Sequence, residues 1–92
     1  MGLWNTNNID RVWKNICKYE GETFHTIRNI EYKYVVKEDY ILINNDPRRK
    51  IKKSAIEKAI RIENPTPSKI NKENIWGPSY VYGMITDRRI FS

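Results

Sequence analysis

Ninety-two residues with a formal charge of +6 make one domain and leave little room for a large enclosed active site. A chain this short buries only a little over ~60% of its unfolded surface, so its core is modest. No apolar run is long enough to span a membrane and no leader pattern is evident, while the single cysteine, Cys17, excludes an internal disulfide and fits a reducing, cytoplasmic setting.

Residues 1–7 read as a loose lead-in, with Trp4 as an anchor. From Ile9 the pattern is helical: Ile9, Val12, Trp13, Ile16 and Cys17 fall on one apolar stripe and are expected to pack in the core. Asn8 suits the N-cap, Asp10 suits the positive end of the helix dipole, and Gly21 suits the stop.

Residues 22–43 read as three strands in a row. Runs 23–28 and 31–37 are rich in β-branched and aromatic side chains, and 40–43 is a continuous apolar run suited to a buried strand. A tight turn centred on Asn29 and Ile30 would set Arg28 opposite Glu31. Ile disfavours positive φ, so a longer, bulged turn is the alternative. Tyr32 and Tyr34 share a strand face, either both in the core or both on an open side of the sheet.

Asn44, Asn45, Asp46 and Pro47 mark a loop. A strongly basic segment follows. Ser54 and Glu57 match a capping box, which predicts a helix from Ser54, with an earlier start near Lys52 as the alternative. Ile56, Ala59, Ile60 and Glu63 share one face, so Ile56 and Ile60 would pack on the sheet. Residues 64–68, with two prolines, read as a stiff linker, and 69–74 as loop or a short helical turn. Gly77 as N-cap and Pro78 at the first helical position predict a last helix to about Thr86, with Val81, Met84 and Ile85 on one face. Residues 87–91 form a tail pinned by Ile90 and Phe91.

The order is therefore α-β-β-β-α with a short extra C-terminal helix. It predicts a two-layer α+β domain over residues 1–92, with a three-stranded antiparallel sheet and helices on one face. The other sheet face is left for solvent, a partner or a second subunit, and a homodimer is compatible with it.

The segments GETFHTIRNIEYKY and GPSYVYGMITDRRI resemble a pattern found in small bacterial and phage-type proteins of about this size. A glycine usually stands there where this chain has Asn29, which bears on the turn type. That resemblance covers most of the chain from Trp13 to Ile90 and implies one intact domain. The α-β-β-β-α order is also similar to the double-stranded-RNA-binding domain, whose last helix opens with a basic run that grips phosphates. Lys52, Lys53, Ser54 and Ala55 resemble that run.

Between positions 48 and 61 stand Arg48, Arg49, Lys50, Lys52, Lys53, Lys58 and Arg61, against one acid, Glu57. Cations at a helix start oppose its dipole and cost roughly a few tenths of a kcal/mol. Together with the first-turn N–H groups they would favour a phosphate. The plainer alternative is a solvated basic face with Lys53–Glu57 and Glu57–Arg61 pairs. Tyr32, Tyr34, Tyr40, Trp76, Tyr80 and Tyr82 supply aromatics, most of them expected in the core. Trp76, Ser79 and Tyr80 flank a Gly–Pro helix start that reads either as an anion site or as a structural turn with a Trp anchor.

His25, with Glu20, Glu22 and Asp39, has no recognisable ligand spacing, and Cys17 has no evident base. No P-loop, dinucleotide fingerprint or zinc motif is present. The expectation is a non-enzymatic module without metal or cofactor that binds nucleic acid, DNA or RNA. Arg48, Arg49, Lys50, Lys52, Lys53, Lys58 and Arg61 would contact phosphates, with Trp76, Ser79 and Tyr80 beside them. The alternative is a phage-type inhibitory or interaction protein that binds a host protein or sequesters a small anionic nucleotide.

Overall fold

Spacing of apolar residues three and four apart winds Ile9–Lys18 into helix α1, which buries Val12, Trp13 and Ile16. These coordinates are a computed structural model that describes residues 9–91. The predicted cap at Asn8 and anchor at Trp4 lie outside the described residues. Gly21 ends the segment at φ 88°, a left-handed conformation that glycine adopts without steric cost. Cys17 departs from expectation and is exposed. It lies about 80° round the helix from Ile9, at the edge of the stripe, and falls outside the face that α1 buries.

The strand region folds into two ladders. Strands β1 (Phe24–His25) and β2 (Glu31–Tyr32) pair antiparallel, with His25 opposite Glu31. The turn between them is the longer one, closed by Thr26 N–H to Ile30 O and Asn29 N–H to Thr26 O, with Asn29 at φ 64°. Arg28 therefore does not face Glu31. The chain breaks step at Lys33, which Asn44 holds twice: Lys33 N–H donates to Asn44 Oδ1 at 3.1 Å, and Asn44 N–H to Lys33 O at 2.7 Å.

Beyond the break, β3 (Tyr34–Val36), β4 (Tyr40–Ile43) and β5 (Lys50–Lys52) form a three-stranded antiparallel sheet in the order β3-β4-β5. The α+β class is as the sequence implied, but the membership differs. The third strand is not 23–28; it is Lys50–Lys52, inside the basic segment. Its register sets Ile51 opposite Ile41, and Lys50 and Lys52 opposite Leu42 and Tyr40. A strand with one inward apolar residue gains its burial from its neighbour, so local pattern alone gives little sign of it.

Helix α2 (Lys53–Ile60) follows without a loop. Its N-cap is Lys52 and no side chain caps it, so the capping box at Ser54 and Glu57 does not form. The stop of β5 at Lys52 sets the start instead. The expected Lys53–Glu57 pair is also replaced: Lys53 reaches Asp10 at 3.5 Å, while Glu57 pairs with Arg61 at 3.0 Å. Residues 64–68 serve only in part as a connection. Thr66 accepts from Lys69 N–H and Pro67 opens a short helix, α3 (Pro67–Lys72). Helix α4 (Pro78–Ile85) starts at Gly77 and ends at Thr86, as expected, and α5 (Arg88–Phe91) buries Ile90.

One core joins these parts. Tyr34, Ile41, Ile43 and Ile51 meet Ile56 and Ile60 of α2, Val81, Met84 and Ile85 of α4, and Ile16 of α1. Tyr32 and Tyr34 both lie in this core, and each hydroxyl has a partner: Tyr34 donates to Ile16 O at 2.6 Å and Tyr32 to Tyr80 O at 2.7 Å. Burial raises both phenol pKa values, so both remain protonated donors. The first of these bonds satisfies a carbonyl in the last turn of α1, where the helix has no N–H of its own to offer.

Residues 21–34 and 77–90 pack on each other. Helix α4 crosses β1 so closely that a Cβ on Gly83 would stand 2.2 Å from His25 O. Arg89 lies 3.9 Å over the Phe24 ring, donates to Thr23 O and is held by Asp87 at 2.9 Å. Those residues thus have structural duties. No helix among the described residues is long and apolar enough to cross a membrane.

Candidate nucleic-acid interface

Side chains alternate across β5, so Ile51 enters the core and Lys50 and Lys52 point to the other face. Lys50 Nζ sits 4.3 Å over the Tyr40 ring, a cation–π contact that holds its stem across the outer sheet face. On the order β3-β4-β5, β5 is an edge strand. Beside it run the start of α2 and the turn from α3 to α4. Together they form a cleft of about 240 Å³, lined in part by Lys50, Lys52, Ser54, Lys58, Asn74 and Trp76. No acidic residue lines it.

Each wall has a local cause. Lys58 is held by its ammonium group, which donates to Glu73 O at 3.1 Å and so bridges α2 to the end of α3. Asn74 adopts φ 60° just past α3, and Asn tolerates that conformation better than most residues. Ile75 then turns into the core at 4% exposure, and Trp76 turns out at 48%. Gly77, at φ 67°, redirects the chain into α4. Trp76 lies between two left-handed residues, and its ring stacks on Tyr80 with centroids 6.0 Å apart and planes at 20°.

The structure brings Lys50, Lys52, Lys58 and Trp76 of the expected site together, with Tyr80 stacked on Trp76, and leaves the others elsewhere. Arg48 is closed onto Asp46, which accepts from its backbone N–H and from its guanidinium. That pairing holds the Asp46 carboxyl below its ordinary pKa and raises that of Arg48. Arg49 leans on the same carboxylate at 3.6 Å and donates to Tyr80 Oη at 3.1 Å, so it supports the Trp76–Tyr80 stack from behind. Lys53 faces α1, near Trp13 and Asp10, and Arg61 is tied to Glu57.

Ser79 lines a second groove, of about 610 Å³, on another side of Tyr80. Its walls include Arg28 and the two exposed isoleucines of the β1–β2 turn, Ile27 and Ile30. Asn74 is the polar lining residue of the first cleft that sequence reasoning missed, and Ser54 entered it only through the resemblance to a phosphate-gripping run. Asn74 carried a signal, as an Asn just beyond a helical turn, but its place beside β5 depends on how α3 packs.

The other chemistries have little support from the geometry. His25 lies 3.7 Å from Glu31 on the solvent side of the β1–β2 pair, and both side chains are exposed. Partial desolvation and the nearby Glu20 raise the pKa of the exposed Cys17, which favours the unreactive thiol. Among the described residues no group of three or more His, Cys, Asp or Glu could hold a metal ion. In comparisons with known proteins, no family model, no curated protein and no solved structure matches the chain.

Proposed function

We propose that the chain is a small nucleic-acid-binding module that grips phosphates in the cleft between β5, α2 and the α3–α4 turn. The supporting observation is that three lysines from two elements, Lys50, Lys52 and Lys58, line one cleft with no acid among them. A phosphate there meets concentrated positive charge, and the start of α2, which has no side-chain cap, stands beside it. Lysines on an edge strand also discourage strands of other chains from pairing with it. Edge protection accounts for Lys50 and Lys52, but it does not require Lys58 or an exposed tryptophan from other elements.

Fluorescence anisotropy with labelled nucleic acids across a salt series tests this. Affinity should fall with salt, with a log–log slope of roughly −2 to −3 for about three neutralised phosphates. Combined Lys50→Glu, Lys52→Glu and Lys58→Glu should abolish measurable binding, whereas Arg48→Ala with Arg49→Ala should cost much less. A flat salt response, or full binding by the triple variant, overturns the proposal.

A second reading, an interaction protein, rests on Ile27 and Ile30 at 60% and 57% exposure beside the larger groove. Large apolar side chains exposed together at a hairpin tip are a feature of protein contact surfaces. If that contact is with a second copy of the chain, sedimentation velocity shows concentration-dependent association that Ile27→Asp removes. A monomer at every concentration excludes that partner.

A further inference from the structure

Resting on that reading, we infer that the cleft takes single-stranded nucleic acid and that Trp76 is the platform on which one base stacks. The Trp76 ring stacks offset on Tyr80, with centroids 6.0 Å apart and 20° between planes, yet Trp76 remains 48% exposed. Trp76 lines the same cleft as Lys50, Lys52 and Lys58. Cations beside an exposed aromatic side chain match the two parts of an unpaired nucleotide, its phosphate and the π-surface of its base.

Anchoring the chain does not explain this tryptophan. Its neighbour Ile75, 4% exposed, already performs that task. The platform is also rigid from below. Tyr80 meets Tyr32 edge-on at 5.0 Å and 74°, and its carbonyl accepts from the Tyr32 hydroxyl at 2.7 Å. Its own hydroxyl accepts from Arg49 at 3.1 Å. Left-handed Asn74 and Gly77 hold the backbone on either side of Trp76. Such a surface needs little further ordering when a ligand arrives, so more of the stacking energy appears as affinity.

In a duplex the bases stack on one another, and their faces are closed to a side chain. A duplex could place its backbone on the lysines but would leave Trp76 unused. Stacking is indifferent to base identity, so little sequence preference is expected.

The test is anisotropy with labelled oligo-dT, oligo-U and a duplex of matching length. It compares the wild type, Trp76→Ala, Trp76→Leu and the triple lysine variant, with tryptophan emission recorded alongside. Wild type should bind single strands more tightly than duplex, with quenched emission. Trp76→Ala and Trp76→Leu should weaken single-strand binding by roughly 5- to 150-fold, the range of one stacked base, and lose most of the quenching. Residual duplex binding should not change. Trp76→Leu keeps an apolar cover over Tyr80, so it carries the test should Trp76→Ala unfold. The ratio of oligo-dT to oligo-U affinity tells which strand chemistry the cleft serves. Single-strand binding that survives both Trp76 variants and fails in the lysine variant overturns this inference and leaves the phosphate grip standing. Duplex binding as tight as single-strand binding also overturns it. Absence of binding to all three nucleic acids overturns the phosphate grip itself.

Discussion

Replacing Gly83 by alanine separates tertiary packing from helix propensity by sign. Alanine in the middle of a helix is favoured over glycine by about 1 kcal/mol, so α4 considered alone predicts a more stable protein. The packing predicts the reverse. An added Cβ would stand 2.2 Å from His25 O, 3.1 Å from His25 C and 3.3 Å from Thr26 Cα. A close carbon–oxygen contact is about 3.3 Å, so α4 and β1 would have to part by roughly 1 Å. The obstacle is backbone held by the β1–β2 ladder, which cannot rotate aside as a side chain could. Overpacking of a well-filled site costs about 1–3 kcal/mol, and rigid backbone places this site at the upper end, near 3. Less the helix gain, the net loss is about 2 kcal/mol, or roughly 8–16 °C in Tm for a domain of this size. Thermal and urea unfolding followed by circular dichroism measure it. An unchanged or raised Tm would refute the close approach of α4 to β1.

Further outcomes concern the same frame. Tyr34→Phe keeps the ring and removes the donor to Ile16 O, leaving that carbonyl in the last turn of α1 without its partner. It should cost about 1–2 kcal/mol in urea unfolding, and an unchanged midpoint would show that the bond adds nothing. The Asp87 carboxyl is held below its ordinary value of 3.8, chiefly by its hydrogen bond from Arg89. Its folded-state pKa is depressed, so its contribution is complete above 3.8 and disappears as pH falls through the lowered value. The stability gap between wild type and Asp87→Asn should therefore narrow on the acid side. A gap that stays constant through that window sinks the argument.

Much of the local structure was legible because its causes are local. Val12, Trp13 and Ile16 show a stripe at helical spacing, and Ile56 with Ile60 shows another. Gly77 and Pro78 announce α4 by one free and one fixed φ. Asn44 and Asn45, at φ 54° and 57°, make the loop that their side chains favour. Thr66 and Pro67 also carried a local message, cap and first helical position, but two prolines so close together read as a linker. The basic residues and the α+β class were likewise plain from the chain, whereas the exposure of Trp76 was not, since a buried anchor read equally well.

Tertiary structure decided which of these parts meet. Lys50–Lys52 has one apolar residue and becomes a strand only because β4 offers it a ladder and a buried slot for Ile51. That pairing turns Lys50 and Lys52 outward together, and the strand's end, not Ser54, starts α2. Arg48 and Lys58 look equivalent in composition, yet Asp46 takes up one and Glu73 O holds the other at the cleft. Trp76 reaches the lysines because α3 carries it back beside β5, across more than twenty residues of chain. Charge and residue type are properties of the sequence. Which charges stay unneutralised, and which aromatic side chain stays exposed, depends on burial and on partners distant along the chain.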